Sequence, residues 1–138
     1  MITVLARVLG LGLLAAAAGV HSQPGPIDEL SLLQGDPARG RLVFAPCRTC
    51  HFTDAAAGHG NGPNLYRIFG KAAGQQEGFE YYSDALKAAG FVWTPQVMYA
   101  WLENPMAALP GTSMMSAGVP DARQRADLIA YLQSVSVR

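Results

Sequence analysis

Two cysteines and a histidine stand together in the run Cys47-Arg48-Thr49-Cys50-His51. Thiols at this spacing on a helical turn point the same way, so each of them can add to one vinyl group of a porphyrin. The imidazole of His51, which follows directly, can then bind the porphyrin iron from one side. The C-x-x-C-H spacing therefore predicts one covalently attached haem, held through Cys47 and Cys50 with His51 as an iron ligand.

A C-x-x-C pair also occurs in thioredoxin-like redox sites and in zinc sites. This chain has only two cysteines, and its other histidines are His21 and His59. It therefore has no second cysteine pair to complete a zinc site. No convincing βαβ pattern surrounds the motif, as a thioredoxin-like site would require. Covalent haem attachment is the interpretation that these observations favour.

Composition indicates one small domain. The chain has 138 residues, of which 50% are hydrophobic, and this suits a single core that a large flat cofactor helps to complete. Ten Lys and Arg residues balance ten Asp and Glu residues. No basic run or stripe is present that would indicate binding to nucleic acid, so we expect no nucleic-acid partner.

The first residues have the pattern of an export signal. Arg7 gives a thin positive region, and an apolar run follows from Val8 to Val20. We predict a signal peptide over 1–22, a linker rich in proline and glycine over 23–34, and a domain over 35–138. Export would place the protein in the periplasm without a stable membrane anchor. An uncleaved interfacial anchor is the alternative, because the positive region is weak and no clean cleavage site stands out.

Caps and periodicity predict a mostly α-helical domain. Asp36-Pro37 and Thr94-Pro95 each pair an N-cap residue with proline at the first helical position, and Pro105 should stop the second of these helices. A short helix is expected around 84–89, and a last helix from about 121 to 135 with an apolar stripe. The long stretch 52–90 is dense in glycine and should form ordered loops.

Several short runs follow one another in an order that is more specific than the cysteine motif. They include Gly40-Arg41-Leu42-Val43-Phe44, Cys47 to His51, Gly62-Pro63-Asn64-Leu65, Leu102-Glu103-Asn104-Pro105 and Pro110-Gly111-Thr112-Ser113-Met114. With these runs the chain resembles, from Gly35 onward, the class I c-type cytochromes, in the branch of mitochondrial cytochrome c and its bacterial relatives. The resemblance implies an all-α, single-haem cytochrome c fold. In that fold the N- and C-terminal helices cross and long ordered loops surround the covalent haem.

The resemblance also implies the second ligand of the iron. Met114 occupies the ligand position of the run that begins at Pro110, and Met115, one residue further on, is the alternative. A thioether ligand opposite His51 favours ferrous over ferric iron and so raises the reduction potential. The carbonyl of Pro63 is implied to accept the free N–H of His51 and to fix the orientation of its ring.

Two aromatic residues match positions that hydrogen-bond a haem propionate in the family, namely Trp93 and Tyr82. Tyr81 is the alternative to Tyr82, because this part of the chain has one residue more than the family pattern. His59 matches a histidine that joins two loops rather than an iron ligand.

Function follows from the same resemblance. It implies a periplasmic electron-transfer protein of a respiratory chain, which carries one electron at a time between redox protein partners, has no small-molecule substrate and is not an enzyme. A second hypothesis is an electron-transfer subunit of a periplasmic dehydrogenase, so the protein is expected as a monomer or as such a subunit. A third is a haem enzyme or gas sensor with an open iron position. Met114 in a rigid motif, and the lack of an evident acid–base pair, argue against this third hypothesis.

Haem attachment should need both thiols. Replacing either Cys47 or Cys50 by serine should leave one vinyl group unsaturated, shift the reduced α-band of the pyridine haemochrome to the red and lower the holoprotein yield. Covalent haem that persists unchanged in the double serine variant would contradict the prediction.

Overall fold

A computed structural model describes the fold over residues 34–136. The expected signal peptide over 1–22, and all but the last residue of the expected linker over 23–34, lie outside the described residues. Between residues 34 and 136, strand-type pairing is limited to one antiparallel bridge between Ala72 and Val92. In the same range, no helix has the length and apolar character needed to cross a membrane.

Five α-helices and two short 3-10 helices make up the regular structure of the described residues. The α-helices are α1 (Pro37–Val43), α2 (Asp84–Lys87), α3 (Pro95–Glu103), α4 (Pro105–Ala108) and α5 (Ala122–Ser134), and the 3-10 helices are Ala45–Thr49 and Ala55–Ala57. The all-α class predicted from the sequence is confirmed.

Capping side chains determine where the longer helices begin. Asp36 accepts hydrogen bonds from two first-turn amides of α1, and Thr94 and Asp121 accept from amides of α3 and α5. Each cap satisfies backbone N–H groups that have no partner inside the helix. Proline follows the cap of α1 and of α3, where its missing N–H costs nothing. These are the two cap-and-proline signals seen in the sequence.

Helix α4 was not expected, because Pro105 was interpreted only as the stop of the preceding helix. Helix α3 does end at Glu103, but the side chain of Asn104 then accepts a hydrogen bond from the Ala107 amide at 3.1 Å. Asn104 therefore caps a new helical turn with Pro105 at its first position. Proline ends α3 because it has no N–H and keeps the preceding Asn104 in an extended conformation, and its fixed φ suits the first position of α4.

The N- and C-terminal helices of the domain cross in direct backbone contact. A Cβ atom at Gly40 of α1 would overlap the carbonyl oxygen of Asp127 in α5, so only glycine fits. Next to this contact, the rings of Phe44 and Tyr131 pack with centroids 5.3 Å apart. Leu128 beside them is only 1% exposed. The crossing of the N- and C-terminal helices that the resemblance implied is confirmed.

A buried carboxylate strengthens the crossing. The side chain of Asp127 is 4% exposed and accepts the Asp36 N–H at 2.7 Å. Arg39 donates to it twice, from Nε at 2.8 Å and from Nη2 at 2.9 Å. These hydrogen bonds from Arg39 hold the pKa of Asp127 below its usual range. Arg123 also approaches Asp127, at 3.5 Å, but from an exposed position.

Asp127→Asn should destabilise the protein, because it removes the charge that Arg39 and the Asp36 amide are arranged around. We expect the free energy of unfolding to fall by about 2 to 4 kcal/mol in urea titrations. Arg123→Ala is the matched control and should cost under about 1 kcal/mol.

The pH dependence gives a second readout of the same prediction. The folded pKa of Asp127 is lowered, so its contribution is present above the ordinary aspartate pKa of about 4 and is lost as pH falls through the folded value. Below about pH 4 the wild-type chain should therefore lose stability more steeply than Asp127→Asn. Parallel curves for the two proteins would contradict the prediction.

Candidate functional site

The cysteine motif forms a closed turn directly after α1. The amides of Cys50 and His51 both donate to the Cys47 carbonyl oxygen, at 3.1 and 2.9 Å. Both thiols are half-buried, and Cys47 packs against the hydrophobic core. Burial raises the pKa of the Cys47 thiol, so the neutral form is favoured there. The turn holds two thiols and one imidazole within five consecutive residues.

The ring of His51 is fixed by one short hydrogen bond. Its Nδ1 lies 2.7 Å from the Pro63 carbonyl oxygen, and because a carbonyl can only accept, Nδ1 carries the proton. In the neutral ring Nε2 then keeps its lone pair. Burial lowers the pKa of His51, an effect that the hydrogen bond to Pro63 partly offsets. The result is a neutral imidazole whose Nε2 is ready to bind a metal ion.

Gly62 leaves the room that this ring occupies. A Cβ atom at Gly62 would overlap the His51 imidazole. The loop is held in place because the Gly62 amide donates to the Cys50 carbonyl oxygen at 2.9 Å. Gly62 and Pro63 thus act as a pair, one giving space to the ring and the other orienting it.

The two neighbouring methionines differ in burial. Met114 is half-buried and packs against the hydrophobic core, whereas Met115 is 82% exposed. The Met114 amide donates to the Thr112 hydroxyl at 3.2 Å, which stiffens the approach to this residue. Gly111 has φ of 89°, a conformation that favours glycine. Met114 is therefore the methionine on the interior side of the loop.

The candidate propionate residues also lie inside. Tyr82 packs against the core with its ring 4.9 Å from that of Phe79, whereas Tyr81 is 81% exposed. Burial raises the pKa of Tyr82, and a hydrogen bond with the Gln76 backbone partly offsets this effect. Trp93 is 7% exposed. The geometry thus puts Tyr82, and not Tyr81, on the buried side together with Trp93.

His59 joins two loops, and both of its ring nitrogens are used. Nδ1 accepts the Asn64 N–H at 3.0 Å, so Nε2 carries the proton and donates to the Glu77 carbonyl oxygen at 2.9 Å. The ring also packs against Phe79. No lone pair remains for a metal ion, which agrees with the bridging role expected from the sequence.

Comparison with known proteins identifies the family. The sequence profile described as cytochrome c matches residues 37–136. The chain belongs to the cytochrome c family. It is 43% identical over 103 residues to cytochrome c of Ulva intestinalis, covering 74% of this chain and 92% of the relative. It is 42% identical over 98 residues to cytochrome c2 of Rhodomicrobium vannielii, covering 71% and 78%.

A solved structure supports the same fold. Cytochrome cH from Methylobacterium extorquens superposes with a TM-score of 0.67 and 39% sequence identity, covering 72% of this chain and 99% of that one. The chain is thus an electron-transfer protein with protein partners, as cytochromes c are, and not an enzyme. Cytochromes c bind haem c covalently, and Cys47 and Cys50 stand at the positions that the attachment motif requires.

The residues of this chain fit that cofactor. The chain supplies half-buried thiols for attachment, an imidazole nitrogen with a free lone pair and an inward thioether. The cofactor supplies reversible one-electron exchange at iron when it is bound. The protein supplies attachment, orientation of His51 and an apolar surrounding.

The role of Gly62 was not predicted from the sequence. Of the run that begins with Gly62, only Pro63 was expected to act on the His51 ring. A glycine directly before a proline in a loop is an ordinary turn signal. What singles out Gly62 is its contact with a ring eleven residues earlier in the chain, which local sequence does not show.

Gly62→Ala should disturb the His51 ring, because the new methyl group would overlap the imidazole. We expect a lower holoprotein yield and changed g-values in the electron paramagnetic resonance spectrum of the ferric protein. Asn61→Ala is the control, since Asn61 is exposed in the same loop. Spectra of Gly62→Ala that match those of the control would contradict the prediction.

Proposed function

We propose that this chain is a diffusible periplasmic electron carrier with one haem c. In this proposal the haem is attached through Cys47 and Cys50, and His51 and Met114 are the two axial ligands of the iron. The observation that carries the proposal is that the His51 ring is fixed by Pro63 with its Nε2 left free, while Met114 packs against the hydrophobic core. A carrier that keeps both axial positions filled exchanges electrons without binding a substrate at the iron.

His51 and Met114 would act on the reduction potential in opposite ways. A thioether favours the ferrous state, and an apolar surrounding disfavours the additional charge of the ferric state. The hydrogen bond from His51 to Pro63 makes the imidazole a better donor and so moderates this effect. The proposed ligand pair is that of a carrier working at a positive potential.

Tyr82 and Trp93 are proposed to donate hydrogen bonds to a haem propionate. A charged carboxylate in a buried position needs such donors. Tyr82 is the better candidate of the tyrosine pair, because its ring packs on the core while that of Tyr81 is 81% exposed.

The surface suggests how a redox partner is met. Leu42 is 74% exposed and Met115 is 82% exposed, so large apolar side chains are available at the surface for contact with a partner. The formal charge of the whole chain is zero. We therefore propose that a redox protein partner binds the monomeric domain over 35–138 through apolar contact more than through long-range attraction.

The methionine assignment can be tested directly. Met114→Ala should abolish the weak far-red sulfur-to-iron band of the ferric protein, lower the reduction potential and let added imidazole bind readily. Met115→Ala is the matched control and should do none of these, since Met115 is exposed. The reverse pattern would show that the ligand lies one residue further along the chain.

The periplasmic assignment rests on residues 1–22, which resemble a signal peptide. Intact-mass measurement of the protein from a periplasmic fraction should give an N-terminus just after Ala18, Gly19 or Ser22, plus the mass of one haem. A cytoplasmic or membrane-bound protein that retains Met1 would contradict it.

A further inference from the structure

The loop that carries Met114 is held at its far end by a side chain of α5. Arg125 is 5% exposed, and its Nη1 donates to two consecutive carbonyl oxygens, Val119 at 2.9 Å and Pro120 at 2.7 Å. These carbonyls lie between Met114 and the start of α5. One buried guanidinium group therefore fixes the exit of the loop.

The charge of Arg125 is not matched by a buried carboxylate. Its guanidinium carbon lies 4.4 Å from the centroid of the Tyr99 ring, and Nη2 lies 3.6 Å from a Glu103 oxygen whose side chain is 63% exposed. Nε is buried without a hydrogen-bond partner. Taking such a charge out of water is costly, and one screened ion pair returns little of that cost. Stability alone is thus a weak reason for this residue.

Two further contacts fix the exit of the loop, at Gly118 and Val119. The Val119 amide donates to the Leu102 carbonyl oxygen at 2.6 Å. A Cβ atom at Gly118 would lie 2.5 Å from the Glu103 carbonyl oxygen and 2.7 Å from that of Leu102, which leaves room for glycine only. The loop exit is thus pressed against the end of α3, and Arg125 links it to α5.

We infer that Arg125 is a positioning residue for Met114. This inference rests on the proposed function, in which Met114 is an iron ligand. Gly118 follows Met114 by only four positions, so the chain between the two residues spans at most about 14 Å, and any slack at the exit moves the methionine. At the other end, the Thr112 amide donates to the Leu109 carbonyl oxygen at 3.1 Å. The hydrogen bonds of Arg125 fix the exit of the loop at Val119 and Pro120, as this backbone hydrogen bond fixes its start.

Two variants test the role of Arg125 in the haem-loaded protein. Arg125→Ala removes both carbonyl contacts, whereas Arg125→Lys keeps the charge but loses the planar guanidinium group, whose Nη1 makes both contacts while its carbon lies 4.4 Å from the Tyr99 ring centroid. Arg123→Ala is the matched control, because Arg123 is on the same helix with its side chain 61% exposed. We expect imidazole to bind the ferric protein at least about tenfold more tightly in both Arg125 variants. The control should bind it as the wild type does.

A urea titration separates positioning from general stability. In the Arg125 variants the far-red band should disappear at a lower urea concentration than the helical circular dichroism signal, by a wider margin than in Arg123→Ala. If the two signals shift together and imidazole affinity stays at the control value, Arg125 is only structural and the inference is overturned. If Met114→Ala retains the far-red band, the proposed ligand itself is wrong, and the inference falls with it.

Discussion

The close crossing of α1 and α5 is the constraint on which the remaining structure depends. Cβ atoms at Gly35 and Gly40 would overlap carbonyl oxygens of α5, so the two backbones meet without side chains between them. The cysteine turn follows α1 at once, and the loop of Met114 ends where α5 begins. The crossing therefore sets the starting point of both segments that are proposed to hold the iron.

Two buried charged residues, Asp127 and Arg125, have different roles in this arrangement. Asp127 is paired with Arg39 and stabilises the crossing itself, so its contribution is to the free energy of unfolding. Arg125 binds the Val119 and Pro120 carbonyls at the exit of a loop. A guanidinium group used in this way gives geometric specificity at some cost in desolvation. One charge supports the fold, and the other supports the position of a proposed ligand.

The starts of the longer helices were predicted correctly from the sequence. The caps Asp36 and Thr94 with their prolines marked helix starts correctly, because capping depends on neighbouring residues only. Helix α4 was missed because Asn104 and Pro105 can both end one helix and begin another, and the hydrophobic pattern of four residues is too short to decide. The 3-10 helices Ala45–Thr49 and Ala55–Ala57 were also not predicted, because segments of three to five residues are too short to show a hydrophobic pattern.

The site was predictable as far as its chemistry lies in consecutive residues. The cysteine motif was evident from spacing, but the choice between Tyr81 and Tyr82 depends on which ring packs against the core. The contact of Gly62 with the His51 ring and the reach of Arg125 to Val119 join residues that only the fold brings together. Such non-local contacts leave no periodicity in the sequence, so the fold had to supply them.

A crystal structure of the haem-loaded protein tests the central claim most directly. The account predicts one haem with thioether bonds to Cys47 and Cys50, and with His51 Nε2 and Met114 Sδ on opposite sides of the iron. The Nδ1 of His51 should still donate to Pro63. An iron whose sixth position is empty, or is filled by any side chain other than Met114, would contradict the account.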